Sequence, residues 1–339
     1  MKIVVLGAGA WGTALAQSYA ERHTVTLWAR DAQLIDTLAK ARVNERYLPG
    51  FSLPASIQYS SDLGQAISGA DLLLAVVPSS GLRALLMALT AAGNQVPVIW
   101  ACKGLEPGQA KLLHQVAAET LPPQVARGVL SGPSFAQEVA RGLPCALTLA
   151  AHDAAFAQQA AASLHGHRLR VYSSTDVVGV ELGGAVKNVM AIATGISDGM
   201  DFGSNARAAL ITRGLAEITR LGLVLGGKLE TFMGLAGIGD LILTCTGDLS
   251  RNRNVGLRLA QGLPLAAILQ QLGHTAEGVH TCAEVLRMAH GLQVDMPITR
   301  TVSRVMFDGL PPRQALEELL AREPKAEYGA EYGGRHDHG

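Results

Sequence analysis

The sequence predicts an α/β chain, with a doubly wound parallel sheet of Rossmann type in the N-terminal half followed by an all-α C-terminal domain. Three observations predict it. Short β-branched runs alternate with helical periodicity through the first half. The first of these runs leads directly into a G-x-G-x-x-G turn that opens a helix. From about Asp176 onward the strand-like runs give way to apolar residues at helical spacing.

Lys2 to Leu6 reads as a buried parallel strand, followed by Gly7-Ala8-Gly9-Ala10-Trp11-Gly12 and a helix through about Glu21. With 38 glycines in 339 residues the bare pattern is weak, and its place between strand and helix makes it strong. Gly7 permits the tight turn, Gly9 lets the backbone approach a pyrophosphate, Gly12 allows close helix packing, and the helix N-terminus attracts the anion. The second strand, Val25 to Trp28, is followed by Arg30, where an NAD-specific site places an acid. A guanidinium there suits the 2′-phosphate of NADP, so the expected cofactor is NADPH, with NADH as the alternative if Asp31 is the displaced acid. Further strands are expected at Leu72 to Val77, Val96 to Ala101 and Gly128 to Leu130.

Ligands of such sheets bind beyond the carboxyl ends of the strands, which singles out two loops. Lys103, in Cys102-Lys103-Gly104, can meet a phosphate or a substrate oxygen, or be an ordinary surface lysine. Gly132 and Ser134, in Ser131-Gly132-Pro133-Ser134-Phe135-Ala136, offer donors to a polar ligand, or form a Gly-Pro turn with a helix cap at Ser134.

The domain boundary falls near Tyr172 to Asp176. The expected units are residues 1–175, a dinucleotide-binding domain, residues 176–323, a helical substrate domain, and residues 324–339, a tail whose His336 and His338 bind nothing specific. The second unit opens on VELGGAVKNVMAI, Val180 to Ile192, with Lys187 about one turn inside the helix and facing the cleft. Loss of hydration disfavours its charged form and brings its pKa toward the range where a proton is exchanged; otherwise its stem covers apolar surface while the ammonium reaches water. Asp240, after the flexible turn Gly237-Ile238-Gly239, needs a cation in its apolar neighbourhood. Ser250-Arg251-Asn252-Arg253-Asn254 reads as a polar loop suited to phosphate, and Glu277 as a cofactor contact or a helix-capping acid. On the Leu210 to Leu221 helix, Arg213, Glu217 and Arg220 share the polar face. Pro312 starts a last helix, Arg313 to Arg322.

Composition narrows the class. Apolar residues are 48% and charged residues 17%, as in a compact globular chain. Lys plus Arg and Asp plus Glu are both 28, a balance that draws neither nucleic acid nor an acidic membrane, so the expected partner is a small molecule. Four scattered cysteines without a C-x-x-C pair suggest neither zinc nor disulfides, no metal site is expected, and a reducing cytoplasm fits. No stretch reaches about 18 uninterrupted apolar residues, so no membrane span is expected. The oligomeric state is not legible; a homodimer is admitted.

Taken together, GAGAWGTALA, CKGLE, SGPSFAQE, ELGGAVKNVMAI, NARAALITRGLAE, GLAGIGDLILTC and SRNRN resemble bacterial NAD(P)-dependent sn-glycerol-3-phosphate dehydrogenases, from Lys2 to about Arg322. The resemblance implies cofactor contacts at Ala10, Trp11, Arg30, Lys103, Ala136, Arg251, Thr275 and Glu277. It implies glycerol-phosphate contacts at Lys103, Gly132, Ser134, Lys187, Asp240, Ser250, Arg251 and Asn252. Lys187 is the implied proton acceptor, and Asp240 and Lys103 complete the implied catalytic set. The chain departs from the family at Ala10, commonly Ser, and Thr275, often Val; a backbone amide at residue 10 can still bind phosphate. The activity implied is reversible reduction of dihydroxyacetone phosphate, supplying glycerophospholipid synthesis. Two other readings compete: an NADP-dependent hydroxy-acid dehydrogenase of the same architecture, whose substrate carboxylate would use Arg251, and a non-catalytic NADP sensor.

Overall fold

The computed structural model describes residues 1–272 and 276–320; Thr275 and the tail lie outside the described residues. Among the described residues ten strands are formed: β1 Lys2–Leu6, β2 Thr24–Trp28, β3 Val43–Asn44, β4 Leu48–Ser52, β5 Gln58–Ser60, β6 Leu72–Ala75, β7 Val98–Trp100, β8 Arg127–Ser131, β9 Cys145–Ala150 and β10 Leu169–Ser174. Eight of them make one sheet in the order β10-β9-β8-β7-β6-β1-β2-β5, and β3 and β4 form a separate hairpin. The order reverses beside β1, placing the crevice of a doubly wound sheet at the glycine turn.

The sheet departs from the expected all-parallel form at one pairing. β8 and β9 are antiparallel, because the Ser131 to Ala140 turn and short helix return the chain along the same edge. β9 and β10 run parallel to each other, and neither was expected from the sequence. Neither run is rich in β-branched apolar residues: CALTLA is mostly Ala and Leu, and LRVYSS alternates apolar with polar residues, so neither carries the signal of a buried parallel strand. β6 and β7 stop short of the expected ends, at Ala75 and Trp100, because the chain turns there into the crevice loops.

The helical part is organised around the helix Val177–Gly199, started by Asp176, whose carboxylate accepts from Gly179 N at 2.8 Å. Most of this helix is buried, and close contact is secured by glycine. A Cβ on Gly195 would lie 2.1 Å from the Arg253 carbonyl oxygen, and one on Gly256 2.1 Å from that of Ile192. Backbone therefore meets backbone where it crosses the helix Arg251–Ala260. Two described helical stretches are long and apolar enough to cross a membrane by length and composition, Val177–Gly199 and Leu229–Thr246, although neither is an uninterrupted apolar run; 94% of the best window of the first is buried inside the protein. Glu217, expected on a polar face, is instead 2% exposed: its carboxylate accepts from Ile298 N at 2.6 Å and Thr299 N at 3.3 Å, capping the helix Pro297–Phe307. The last described helix is Pro312–Leu320.

Two clasps cross between sheet and helices. Trp100 Nε1 donates to Glu181 at 2.8 Å, and the other oxygen of Glu181 lies 2.6 Å from His114 Nδ1. Glu284 accepts from Gly108 N at 2.8 Å and Ala110 N at 2.9 Å, fixing the far end of the Lys103 loop.

Candidate active site

At the glycine turn Gly7 has φ +127°, and a Cβ there would sit 2.6 Å from the Val76 carbonyl oxygen; one on Gly12 would sit 1.9 Å from that of Gly7. Gly9 behaves differently, since nothing lies within 4 Å of where its Cβ would be. The turn is thus tight on its protein side and open above Gly9, at the N-terminus of the helix Ala10–Tyr19. That opening fits a dinucleotide pyrophosphate. Ala10 and Trp11 are the first residues of that helix, and Arg30 is exposed two residues past β2.

The second centre is a three-residue ionic cluster. Lys187 lies ten residues into its helix, deeper than the sequence suggested, and is 5% exposed. Its ammonium pairs with Asp240 Oδ1, while Lys103 Nζ meets Oδ2 at 3.0 Å. Asp240 is itself 1% exposed. Burial pushes the Lys187 ammonium down to about 7, outweighing the opposing attraction of Asp240; the nearby Lys103 charge adds to the depression. Lys103 also donates to the Gly132 carbonyl at 2.8 Å and to Ser134 Oγ at 3.3 Å. Five residues expected at the site are therefore brought together: Lys103, Gly132, Ser134, Lys187 and Asp240.

Local structure explains the convergence. Gly183 and Gly184 let the central helix approach its neighbours, since a Cβ on Gly184 would lie 2.5 Å from Ser131 Oγ and one on Gly183 2.4 Å from the Ala236 carbonyl. Asp240 is not on a flexible turn. Leu235–Gly239 forms a π-helical turn, tightly packed at Gly237, that feeds the helix Asp240–Thr246. Ser134 is not a helix cap: Phe135 takes that position, and Ser134 Oγ donates to the Gly132 carbonyl at 2.9 Å.

Ser250 to Asn254 is not a loop either. Ser250 caps the helix Arg251–Ala260, accepting from Arg253 N at 3.2 Å. Arg253 is held by Asp198 at 2.8 Å and Asp248 at 3.1 Å, so it belongs to the scaffold. Asn252 Nδ2 donates to Asn188 Oδ1 at 2.9 Å, and Asn252 Oδ1 accepts from Gly278 N at 3.0 Å. Asn188 in turn donates to the Lys103 carbonyl at 3.1 Å. This chain of amides joins the Lys103 loop to the helix that begins at Glu277. Arg251 remains exposed at the helix N-terminus. Burial raises the Glu277 carboxyl, opposed first by the Arg251 charge and then by a hydrogen bond from the Ser79 backbone. Ala136 opens the short helix Ala136–Ala140.

Sequence reasoning missed Asn188 and Thr244, the latter donating to the Asp240 carbonyl at 2.6 Å. Asn188 had a signal, as a polar residue directly beside Lys187 in a largely apolar helix. Among the described residues no group of three or more His, Cys, Asp or Glu is arranged to hold a metal ion.

A dinucleotide turn, a buried lysine with its pKa near neutrality and a carboxylate shared by two ammonium groups define an oxidoreductase of the two-domain dehydrogenase class. Comparison narrows this. A family model described as the N-terminus of NAD-dependent glycerol-3-phosphate dehydrogenase matches residues 2–157, and one for its C-terminus matches residues 176–317. The chain is 62% identical over 331 residues to glycerol-3-phosphate dehydrogenase (NAD(P)+) of Nitrosospira multiformis, covering 96% of this chain and 99% of that one. It is 60% identical to the protein of the same name from Thiobacillus denitrificans, covering 97% and 100%. The crystal structure of glycerol-3-phosphate dehydrogenase from Coxiella burnetii superposes with a TM-score of 0.91 at 44% identity, covering 95% and 99%. The chain belongs to the NAD(P)-dependent glycerol-3-phosphate dehydrogenase family.

Proposed function

We propose that this protein reduces dihydroxyacetone phosphate to sn-glycerol 3-phosphate, reversibly, with NADPH as the preferred cofactor and NADH as the alternative. The observation that carries the reading is Lys187, held at neutral-range acidity beside Asp240 and Lys103 within the family that the whole chain matches. When bound, the reduced nicotinamide supplies the hydride that the ketone carbon takes up. Lys187 gives the proton to the carbonyl oxygen, and in reverse takes it from the hydroxyl. Asp240 holds the two ammonium groups in register, and Lys103 bridges it to Gly132 and Ser134. The N-terminus of the Arg251–Ala260 helix, with Ser250, Arg251 and Asn252, receives the phosphate, its backbone amides and the Arg251 guanidinium supplying charge.

In this reading residues 1–175 bind the dinucleotide with Gly7, Gly9, Ala10, Trp11, Gly12, Arg30 and Ala136, and residues 176–323 bind the substrate, with Glu277 closing on the cofactor. The protein works in the cytoplasm and supplies glycerophospholipid synthesis, in keeping with four unpaired thiols. A homodimer is put forward as the assembly to test by light scattering. The deciding experiment follows NADPH oxidation by purified protein given dihydroxyacetone phosphate and identifies the product. Formation of sn-glycerol 3-phosphate supports the proposal; turnover only with a keto acid gives the hydroxy-acid alternative, and no turnover gives the sensor.

A further inference from the structure

At the end of β2 the acid that follows Arg30 is already committed. Asp31 Oδ1 accepts from Leu34 N at 3.1 Å, capping the helix Ala32–Ala41, and its Oδ2 faces Arg46 Nη1 at 3.8 Å. Arg46 comes from the turn between β3 and β4, and its guanidinium carbon sits 5.0 Å from the centroid of the neighbouring Tyr47 ring. That turn is fixed to the dinucleotide loop. Asn44, 1% exposed, donates from Nδ2 to the Ala8 carbonyl at 3.0 Å and to Thr13 Oγ1 at 2.7 Å, and its Oδ1 accepts from Tyr47 N at 3.2 Å. The hairpin therefore delivers a second guanidinium to the corner of the crevice where the adenosine ribose of a bound dinucleotide would lie.

We propose that Arg46 is a specificity-determining residue for the cofactor, forming with Arg30 a pair of guanidinium groups that receives the 2′-phosphate of NADP. The proposal rests on the reading of an NADPH preference given above. Asp31, with one oxygen in a helix cap and the other facing Arg46, is poorly placed to accept the 2′-hydroxyl of NAD. The side chains of Arg46 and Asp31 are 62% and 51% exposed, so their ion pair is weak and opens at little cost when a phosphate dianion arrives. Two guanidinium groups, Arg30 and Arg46, outnumber the Asp31 carboxylate, a balance that favours the dianion over a neutral hydroxyl. Tyr47 limits the freedom that Arg46 loses on binding.

The test is direct binding, without dihydroxyacetone phosphate, of NADPH and NADH to wild type, Arg46→Ala and Arg46→Lys, followed by cofactor fluorescence. Competition by adenosine 2′,5′-bisphosphate against 5′-AMP isolates the 2′-phosphate. Arg46→Ala is expected to weaken NADPH about 3- to 10-fold and leave NADH within about twofold, while Arg46→Lys falls between. The bisphosphate should lose a comparable part of its advantage over 5′-AMP, and the wild-type advantage should shrink with added salt. Equal weakening of both cofactors, an unchanged NADPH affinity in Arg46→Ala, or a wild type that binds both competitors alike would each overturn the proposal. These measurements need no turnover, so failure to reduce dihydroxyacetone phosphate would count against the proposed reaction and leave the Arg46 result readable.

Discussion

Lys103 and Lys187 hold the two oxygens of a single buried carboxylate, Asp240, although the first comes from the loop after β7 and the second from the central helix. One negative charge thus balances two ammonium groups in a site nearly closed to water. The arrangement keeps the neutral form of Lys187 accessible, which a simple one-to-one pair would oppose.

Lys187→Met keeps length and apolar packing and removes the exchangeable proton. The expected outcome is a folded variant that still binds NADPH but loses about 10²- to 10⁴-fold in kcat. Steady-state kinetics with a melting curve checks it, and a kcat near wild type removes Lys187 from the chemistry.

The pH dependence has a defined sign. Reduction needs Lys187 protonated, so its kcat/KM should fall as pH rises through about 7, whereas oxidation needs the neutral amine and should rise through the same range. Profiles measured in both directions on one preparation decide this, and parallel profiles would count against it.

Arg30→Asp should weaken NADPH far more than NADH, since it removes a charge-assisted contact and adds repulsion toward the 2′-phosphate, together about 2–4 kcal/mol. If the two dissociation constants change alike, Arg30 does not discriminate.

Burial pushes the Glu217 carboxyl up to about 7, against the backbone donors of Ile298 and Thr299, while an unfolded glutamate titrates near about 4.3. The folded state therefore holds this proton more tightly. Its contribution to stability is full below the unfolded pKa and is lost as pH rises through about 7. Glu217→Gln should flatten the stability difference between pH 5 and pH 8 relative to wild type, measured by denaturant unfolding at both.

Gly195→Ala places a methyl group against the Arg253 carbonyl, where neither helix backbone can yield without moving the other. A loss of about 1–3 kcal/mol or more is expected, with a raised KM for the phosphate substrate because the displaced helix carries Ser250 to Asn252. Gly291→Ala is the control. Nothing lies within 4 Å of that Cβ, so a helix-propensity gain of up to about 1 kcal/mol should appear instead.

The sequence by itself determined the features that short stretches encode. The glycine turn and its strand and helix were legible because tight turns and close phosphate approach demand particular residues at fixed spacing. The helical second half followed from periodicity, while the apolar surroundings of Lys187 left burial and an ammonium reaching water both open until the structure showed it 5% exposed. What only the tertiary structure decided was pairing over long separations. Lys103 and Asp240 meet across 137 residues, and nothing in either segment names the other. Likewise Arg253 read as part of a phosphate-suited loop until Asp198 and Asp248 were found to hold it, and Glu217 read as surface until the end of a distant helix was found above it. Periodicity reports which face of an element avoids water; it does not report which partner satisfies a polar group there, because hydrogen bonds and ion pairs depend on where folding brings remote segments together.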